Sequence, residues 1–276
     1  MIGALIIVFR EVIEAGLIIG IVLAATRGVP GRGRWVSFGV IAGVAGASLI
    51  AAFAGVISES FQGMGQELLN AAVLCAAVAM LMWHNAWMAR HGREMAQEMA
   101  KIGEAVSTGS RPLTALAVVV GLAVLREGAE VVLFLYGIVA GGTSGSELLL
   151  GGLLGLAAGA VFTALTYLGL LSIPSRHIFK VTAILIALLA AGMAAQAVQY
   201  VNAAGLVTSM GTTLWDTSAW LSQNSITGRI LHVLMGYNEQ PSELQVIVYA
   251  AVLVAMFLLM RMASPPRRTQ AAPSVS

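Results

Sequence analysis

Seven runs of about twenty apolar residues fill most of the chain, near 2–25, 36–57, 67–89, 113–139, 147–171, 178–200 and 242–262. Runs of that length match the hydrocarbon thickness of a bilayer, so the pattern predicts an all-α polytopic membrane protein with seven transmembrane helices. Composition agrees, with 58% hydrophobic and 10% charged residues and a mean hydropathy of +0.88, which no water-soluble core explains. The expected organisation is one membrane domain over 1–262. It comprises a three-helix unit (1–110), a second (111–200), an outer loop (201–241) and a seventh helix (242–262), followed by a disordered cytoplasmic tail (263–276). Met1 to Phe9 has no basic leader region and no small-residue cleavage site, so it reads as part of a retained first span.

Sorting the connections by parity gives the direction of insertion. Those after spans one, three, five and seven hold Arg27, Arg32, Arg34, Arg90, Arg93, Lys101, Arg111, Arg176, Lys180, Arg261, Arg267 and Arg268, twelve of the fifteen cations. Arg229 stands alone on the other side among Glu59, Glu67, Glu147, Asp216, Glu239 and Glu243. The positive-inside rule then puts the N-terminus outside and the C-terminus inside. A net charge of +2, spread over loops, argues against a nucleic-acid partner. Cys75, the one cysteine, excludes an intrachain disulfide and any multi-cysteine metal site.

The two remaining cations lie inside spans one and four, in the clusters Arg10-Glu11-Val12-Ile13-Glu14 and Arg126-Glu127-Gly128-Ala129-Glu130. At about 100° per residue, Arg-Glu-x-x-Glu gathers all three charged heads on one helix face. An ionisable group at mid-bilayer costs roughly 2.5–3.5 kcal/mol, so six without partners would cost on the order of 15–20 kcal/mol. They must find partners. The clusters are 116 residues apart, and the same offset carries Gly39, Gly43 and Ala47 onto Gly155, Gly159 and Thr163. The repeat therefore extends over at least two helices, and small residues every fourth position permit close helix approach. Because three is odd, successive three-helix units cross the membrane in opposite senses, the arrangement in which inverted repeats enclose a midplane site.

Four glutamates and two arginines sum to minus two if all are ionised, so facing clusters form an anionic, oxygen-lined cage that a multivalent cation would neutralise. Carboxylates suit hard cations, trivalent iron among them. The bland alternative, two Arg-Glu locks pinning helices together, needs one carboxylate per arginine and leaves the second glutamate of each cluster unexplained. A proton-coupled antiport using one of the glutamates stays open.

Arg-Glu-x-x-Glu motifs in the first and fourth of seven spans resemble the high-affinity, oxidase-dependent iron permease family, whose wider membership includes lead and ferrous iron transporters. Further matching segments are Ile173-Pro174-Ser175-Arg176 with Phe179, Leu214-Trp215-Asp216-Thr217-Ser218, Gly228-Arg229, and Gly236-Tyr237 followed by Pro241-Ser242 and Gln245. The resemblance implies iron uptake across the plasma membrane, the inner membrane of a bacterium. It implies Glu11, Glu14, Glu127 and Glu130 as iron ligands and Arg10 and Arg126 as their partners. It also implies an external oxidase that hands over ferric iron, since the chain has no haem, copper or flavin motif of its own. Iron is expected as the transported substrate, with no permanently bound cofactor.

The segment Ser58 to Glu67 carries two acids and no cation, and Glu59 and Glu67 are candidates for an acidic mouth that attracts cations, as is Asp216 in the outer loop. His84 and Asn85, near the inner end of span three beside Trp83 and Trp87, are read first as interfacial residues with satisfied hydrogen bonds, with a metal exit ligand as the alternative. His91 and His177 read as interface residues, and His232 has no evident partner. Ile226 to Met235 is amphipathic and is expected to lie on, or partly re-enter, the outer interface. Arg90 to Val106 reads as an amphipathic, solvated extension of span three. An intramembrane metalloenzyme is disfavoured, since there is no His-Glu-x-x-His and neither cluster holds a Glu-x-x-His pair. A sensor lacks a signalling domain. The chain is therefore read as a transporter and not an enzyme.

Overall fold

The computed structural model describes residues 1–60, 66–169, 175–207 and 210–263, excepting the side chains of 55–60, 93, 175–179, 226, 229, 233, 234 and 263. Eight α-helices account for most of them: α1 (Ile2–Ala25), α2 (Arg32–Ser60), α3 (Gln66–Ser107), α4 (Thr114–Ala140), α5 (Gly145–Tyr167), α6 (Ser175–Ala203), α7 (Ile226–Met235) and α8 (Glu243–Ala263). No strand occurs among the described residues, where an isolated bridge joins Thr213 to Ser242. The predicted tail 263–276 lies, but for its first residue, outside the described residues, as do 61–65 between α2 and α3 and 170–174 before α6.

Five helices, α2, α3, α5, α6 and α8, are long and apolar enough to cross a membrane. Helices α1 and α4 are as long, at 24 and 27 residues. They differ in one respect: every 18-residue stretch of either contains the three charged residues of its motif.

The main packing pairs are α2 with α4, α1 with α5, and α3 with α6. Glycines make the first two possible. A Cβ on Gly39 would lie 2.6 Å from the Ala117 carbonyl oxygen and one on Gly43 2.7 Å from that of Gly121. Likewise, a Cβ on Gly155 would lie 2.6 Å from the Leu5 oxygen, and one on Gly159 3.1 Å from that of Phe9. Backbone thus meets backbone, the close approach that small residues allow where no hydrophobic force drives helices together. Phe38, Ile41, Leu49 and Phe53 of α2 and Val161 of α5 are exposed, as lipid-facing side chains would be.

At 42 residues α3 is about 63 Å long, twice a bilayer core. Its second half is less solvated than its polar face suggests. Gly103 abuts Ala25, and Val106 is buried with Val22, Val36, Leu116 and Val120, so the extension closes over one end of α1, α2 and α4. Arg32 donates to the Leu23 carbonyl at 2.6 Å, satisfying an orphan acceptor in the last turn of α1.

Helix α7 begins at Ser225, whose hydroxyl accepts from Gly228 N, and ends at Gly236 in the left-handed region, φ 68°. Gly236 packs on Gly192, eleven residues or about 16 Å before the end of α6, so α7 dips alongside α6 rather than lying across its tip. Tyr249 of α8 holds the Met235 carbonyl at 2.6 Å. Gly236→Ala is therefore expected to cost more than about 1 kcal/mol, from positive φ and a backbone clash together. An unchanged melting temperature in detergent would count against this crossing.

Candidate metal site

Helices α1 and α4 pack on one another and α3 packs on both, which brings the two motifs together near the helix midpoints. Within each motif the labour is divided alike. Arg10 Nε donates to Glu14 Oε1 at 2.9 Å, and Arg126 Nε to Glu130 Oε1 at 3.1 Å, both at i,i+4 spacing. The first glutamates stand apart: Arg10 is 3.6 Å from Glu11, and Arg126 is 4.0 Å from Glu127. Both carboxylate oxygens of Glu11 and Oε2 of Glu127 are buried without a hydrogen-bond partner among the described residues. Buried, unpaired carboxylates are costly, and such a group takes up either a proton or a cation.

The two arginines are not equivalent. Arg10 is 3% exposed and sealed among carboxylates. Arg126 is one-third exposed, and its guanidinium lies 4.2 Å from the centroid of the Trp87 ring, which in turn stacks on His91 at 5.0 Å. Trp87 therefore partners the second motif.

His84 is the residue that sequence reasoning misplaced. It is 3% exposed and lies between the two motifs, not at an interface. Its Nδ1 meets Glu130 Oε2 directly, while Nε2 is 3.5 Å from Glu14 Oε2 and 3.9 Å from Glu11 Oε2. Ligand atoms of Glu11, His84, Glu127 and Glu130 all lie within 4.8 Å of one another, a spread a single ion can bridge. Glu14, expected among the ligands, is bound to Arg10 and borders this group.

Phe134, fully buried one turn along α4 from Glu130, packs edge-on to His84 at 6.4 Å. With Ile7, Leu74, Leu81 and Ile186 it forms an apolar plug. Beyond the plug, a cavity of about 580 Å³ opens among Met1, Gly141, Glu147, Gln196, Ile230 and His232. A second cavity of about 730 Å³, almost wholly apolar, lies between the α1–α5 and α2–α4 pairs and reaches Glu11 and Glu127.

Of the three acids expected at a mouth, Glu67 and Asp216 are not in the cluster. Glu67 is exposed in the first turn of α3. The side chain of Glu59 lies outside the described residues, as does that of His177. Asp216 is exposed and accepts from Ser218 N at 2.9 Å and Gln240 Nε2 at 2.8 Å. Its hydrogen bonds with Ser218, reinforced by Gln240, hold its carboxyl below the usual value. It pins the loop. His232 does have partners: Nδ1 is 2.7 Å from the Tyr237 carbonyl and 3.0 Å from Gln223 Nε2.

The sequence profile of the iron permease FTR1 family matches residues 1–264. The ferrous iron permeases EfeU of Shigella sonnei and Escherichia coli O157:H7 are each 32% identical over 265 residues, 95% of this chain and 95% of theirs. That of Yersinia pestis is 30% identical over 267 residues, 95% of this chain and 93% of its own. No solved structure matches.

Proposed function

The chain belongs to the iron permease FTR1 family, and we propose that it takes up iron across the plasma membrane through a midplane site built from both Arg-Glu-x-x-Glu motifs. The single observation that carries this is the set of buried oxygens on Glu11 and Glu127 without hydrogen-bond partners among the described residues, in a cluster whose second glutamates are each bound to an arginine. In this reading Glu11 and Glu127 hold iron, while Glu14 and Glu130, bound to Arg10 and Arg126, orient the cage and exchange into the coordination sphere as iron passes. The arginines keep the cage from repelling itself when it is empty.

Seven helices span the membrane, α1 to α6 and α8, with the N-terminus outside and the C-terminus inside. The positive-inside distribution of Arg and Lys supports the direction. An inverted repeat of α1–α3 and α4–α6 is supported by the packing: exchanging the halves turns the α2–α4 pair into α5–α1 and returns α3–α6 to itself. Iron enters by the cavity beside Glu147, drawn by the outer acids Glu59, Glu67, Glu147 and Asp216. The plug around Phe134 must part for it to pass, as alternating access requires.

Sequence reading favours ferric iron supplied by a separate external oxidase. Ferrous iron is a second reading, favoured by the imidazole within the cluster and by the ferrous substrate in the relatives' names. Uptake into sealed proteoliposomes, offered chelated ferric and ferrous iron separately, tests both. Wild type should accumulate one form. The Glu11→Gln/Glu127→Gln variant should lose at least about 100-fold in flux while melting close to wild type, because neither residue carries an arginine hydrogen bond. Equal flux in the two proteins would make the motifs structural.

A further inference from the structure

We propose that His84 is itself a ligand of the transported ion, coordinating through Nε2, and that this nitrogen lets the site select ferrous iron over Mg²⁺ and Ca²⁺. The proposal rests on the permease reading above and names what its site prefers.

The geometry has three parts. The ring is buried where three helices meet and touches both motifs, Nδ1 on Glu130 and Nε2 beside Glu14 and Glu11. With Nδ1 on Glu130, Nε2 faces carboxylate oxygens 3.5–3.9 Å away and has no hydrogen bond of its own among the described residues. In the empty site a proton on Nε2 can face those oxygens, and a metal ion entering between them displaces it. The arrangement is also that of a ligating histidine, whose second ring nitrogen is held by a carboxylate that fixes the ring and raises its basicity. Glu130 plays that part, leaving Glu11 and Glu127 free to complete the shell.

The histidine breaks the symmetry of the site. Between residues 180 and 203 of α6, the counterpart of α3 in the second half, there is no Asp, Glu or His. A cage built by the duplicated motifs alone would be all oxygen and suited to hard ions such as Mg²⁺ and Ca²⁺, which are abundant outside cells. One imidazole shifts the donor set toward borderline transition metals, for which nitrogen ligands are favourable. That is how a carboxylate site can pass iron without filling with calcium.

The full chain in lipid nanodiscs, kept anaerobic, allows a direct test. Mn²⁺ serves as a paramagnetic probe, and pulsed electron paramagnetic resonance should show ¹⁴N coupling from a bound imidazole that disappears in His84→Ala. Competition binding should show Fe²⁺ affinity falling about 10- to 100-fold in that variant, with Ca²⁺ affinity changed less than about threefold. Where His84→Ala proves unstable, His84→Gln, which can still donate to Glu130, takes its place. The wild-type coupling needs no variant at all.

Metal binding that is lost in Glu11→Gln/Glu127→Gln but shows no nitrogen coupling in wild type would overturn the role of His84 and leave the carboxylate site standing. A His84→Ala protein that keeps the Fe²⁺ to Ca²⁺ preference would overturn it equally. Binding that survives both glutamate substitutions, or no binding by wild type, would overturn this proposal together with the function on which it rests.

Discussion

Arg10→Met is expected to cost about 3–5 kcal/mol of folding stability, the penalty for removing one partner of a buried ion pair, whereas Arg126→Met should leave the fold nearly intact. Both arginines occupy the same motif position and make the same i,i+4 bond to the second glutamate. Their surroundings decide the difference. Arg10 is 3% exposed and supplies the cation nearest Glu11 and Glu14, so its loss strands a carboxylate where water cannot reach it. Arg126 is one-third exposed, and solvation compensates part of what its removal takes away. Thermal melts in one detergent would compare the variants, and Arg10→Met/Glu14→Gln should recover much of the loss by removing both partners together. Indistinguishable melts for the two single variants would mean that the two halves of the site are equally buried. Arg126→Met should instead be read in uptake, since it releases Glu130 from one of its two holds.

The helix boundaries are legible in the sequence because bilayer thickness imposes a length. Predicted span four, 113–139, corresponds to α4 at Thr114–Ala140, and Ile226–Met235 emerges with the predicted limits because Ser225 and Gly236 are strong stop signals. The Arg-Glu-x-x-Glu faces are legible too, since helical periodicity alone crowds their charges. His84 is harder to place. It lies 70 residues after Glu14 and 46 before Glu130, and no periodicity links it to either. An apolar run that ends near 89 sets His84 beside an interface, while α3 runs on to Ser107. The usable signal is the rule that singles out the glutamates: an ionisable side chain within an apolar span is functional by default. Helix pairing is hidden for another reason. A 116-residue offset reveals two related units but not that each lends its second helix to the other, as α2 does to α4 and α5 to α1. Nor does Trp87 reveal in sequence that it will lie against Arg126 instead of headgroups.

That exchange of helices leads to a second prediction of large structural effect. Gly39→Leu and Gly155→Leu should each destabilise the protein by about 3 kcal/mol, and by similar amounts. A Cβ at either position would sit 2.6 Å from a backbone oxygen of the opposing helix, Ala117 or Leu5. A carbonyl within a helix cannot swing aside as a side chain can, so the helices themselves must separate. In lipid, lost van der Waals contact between helices is not offset by a hydrophobic drive to re-pack. Gly152→Leu is the control. It lies on the same helix, α5, less than one turn from Gly155, and no atom lies within 4 Å of its Cβ position, so its melt should match wild type within about 0.5 kcal/mol. Separation of α1 from α5, or of α2 from α4, would also pull Glu11 or Glu127 away from His84, so whatever Gly39→Leu or Gly155→Leu protein stays folded should bind Mn²⁺ more weakly than Gly152→Leu. A wild-type melt for Gly155→Leu would show that α1 and α5 do not meet there. Unequal losses at Gly39 and Gly155 would show instead that one of the two helix pairs carries the packing and the other merely follows it.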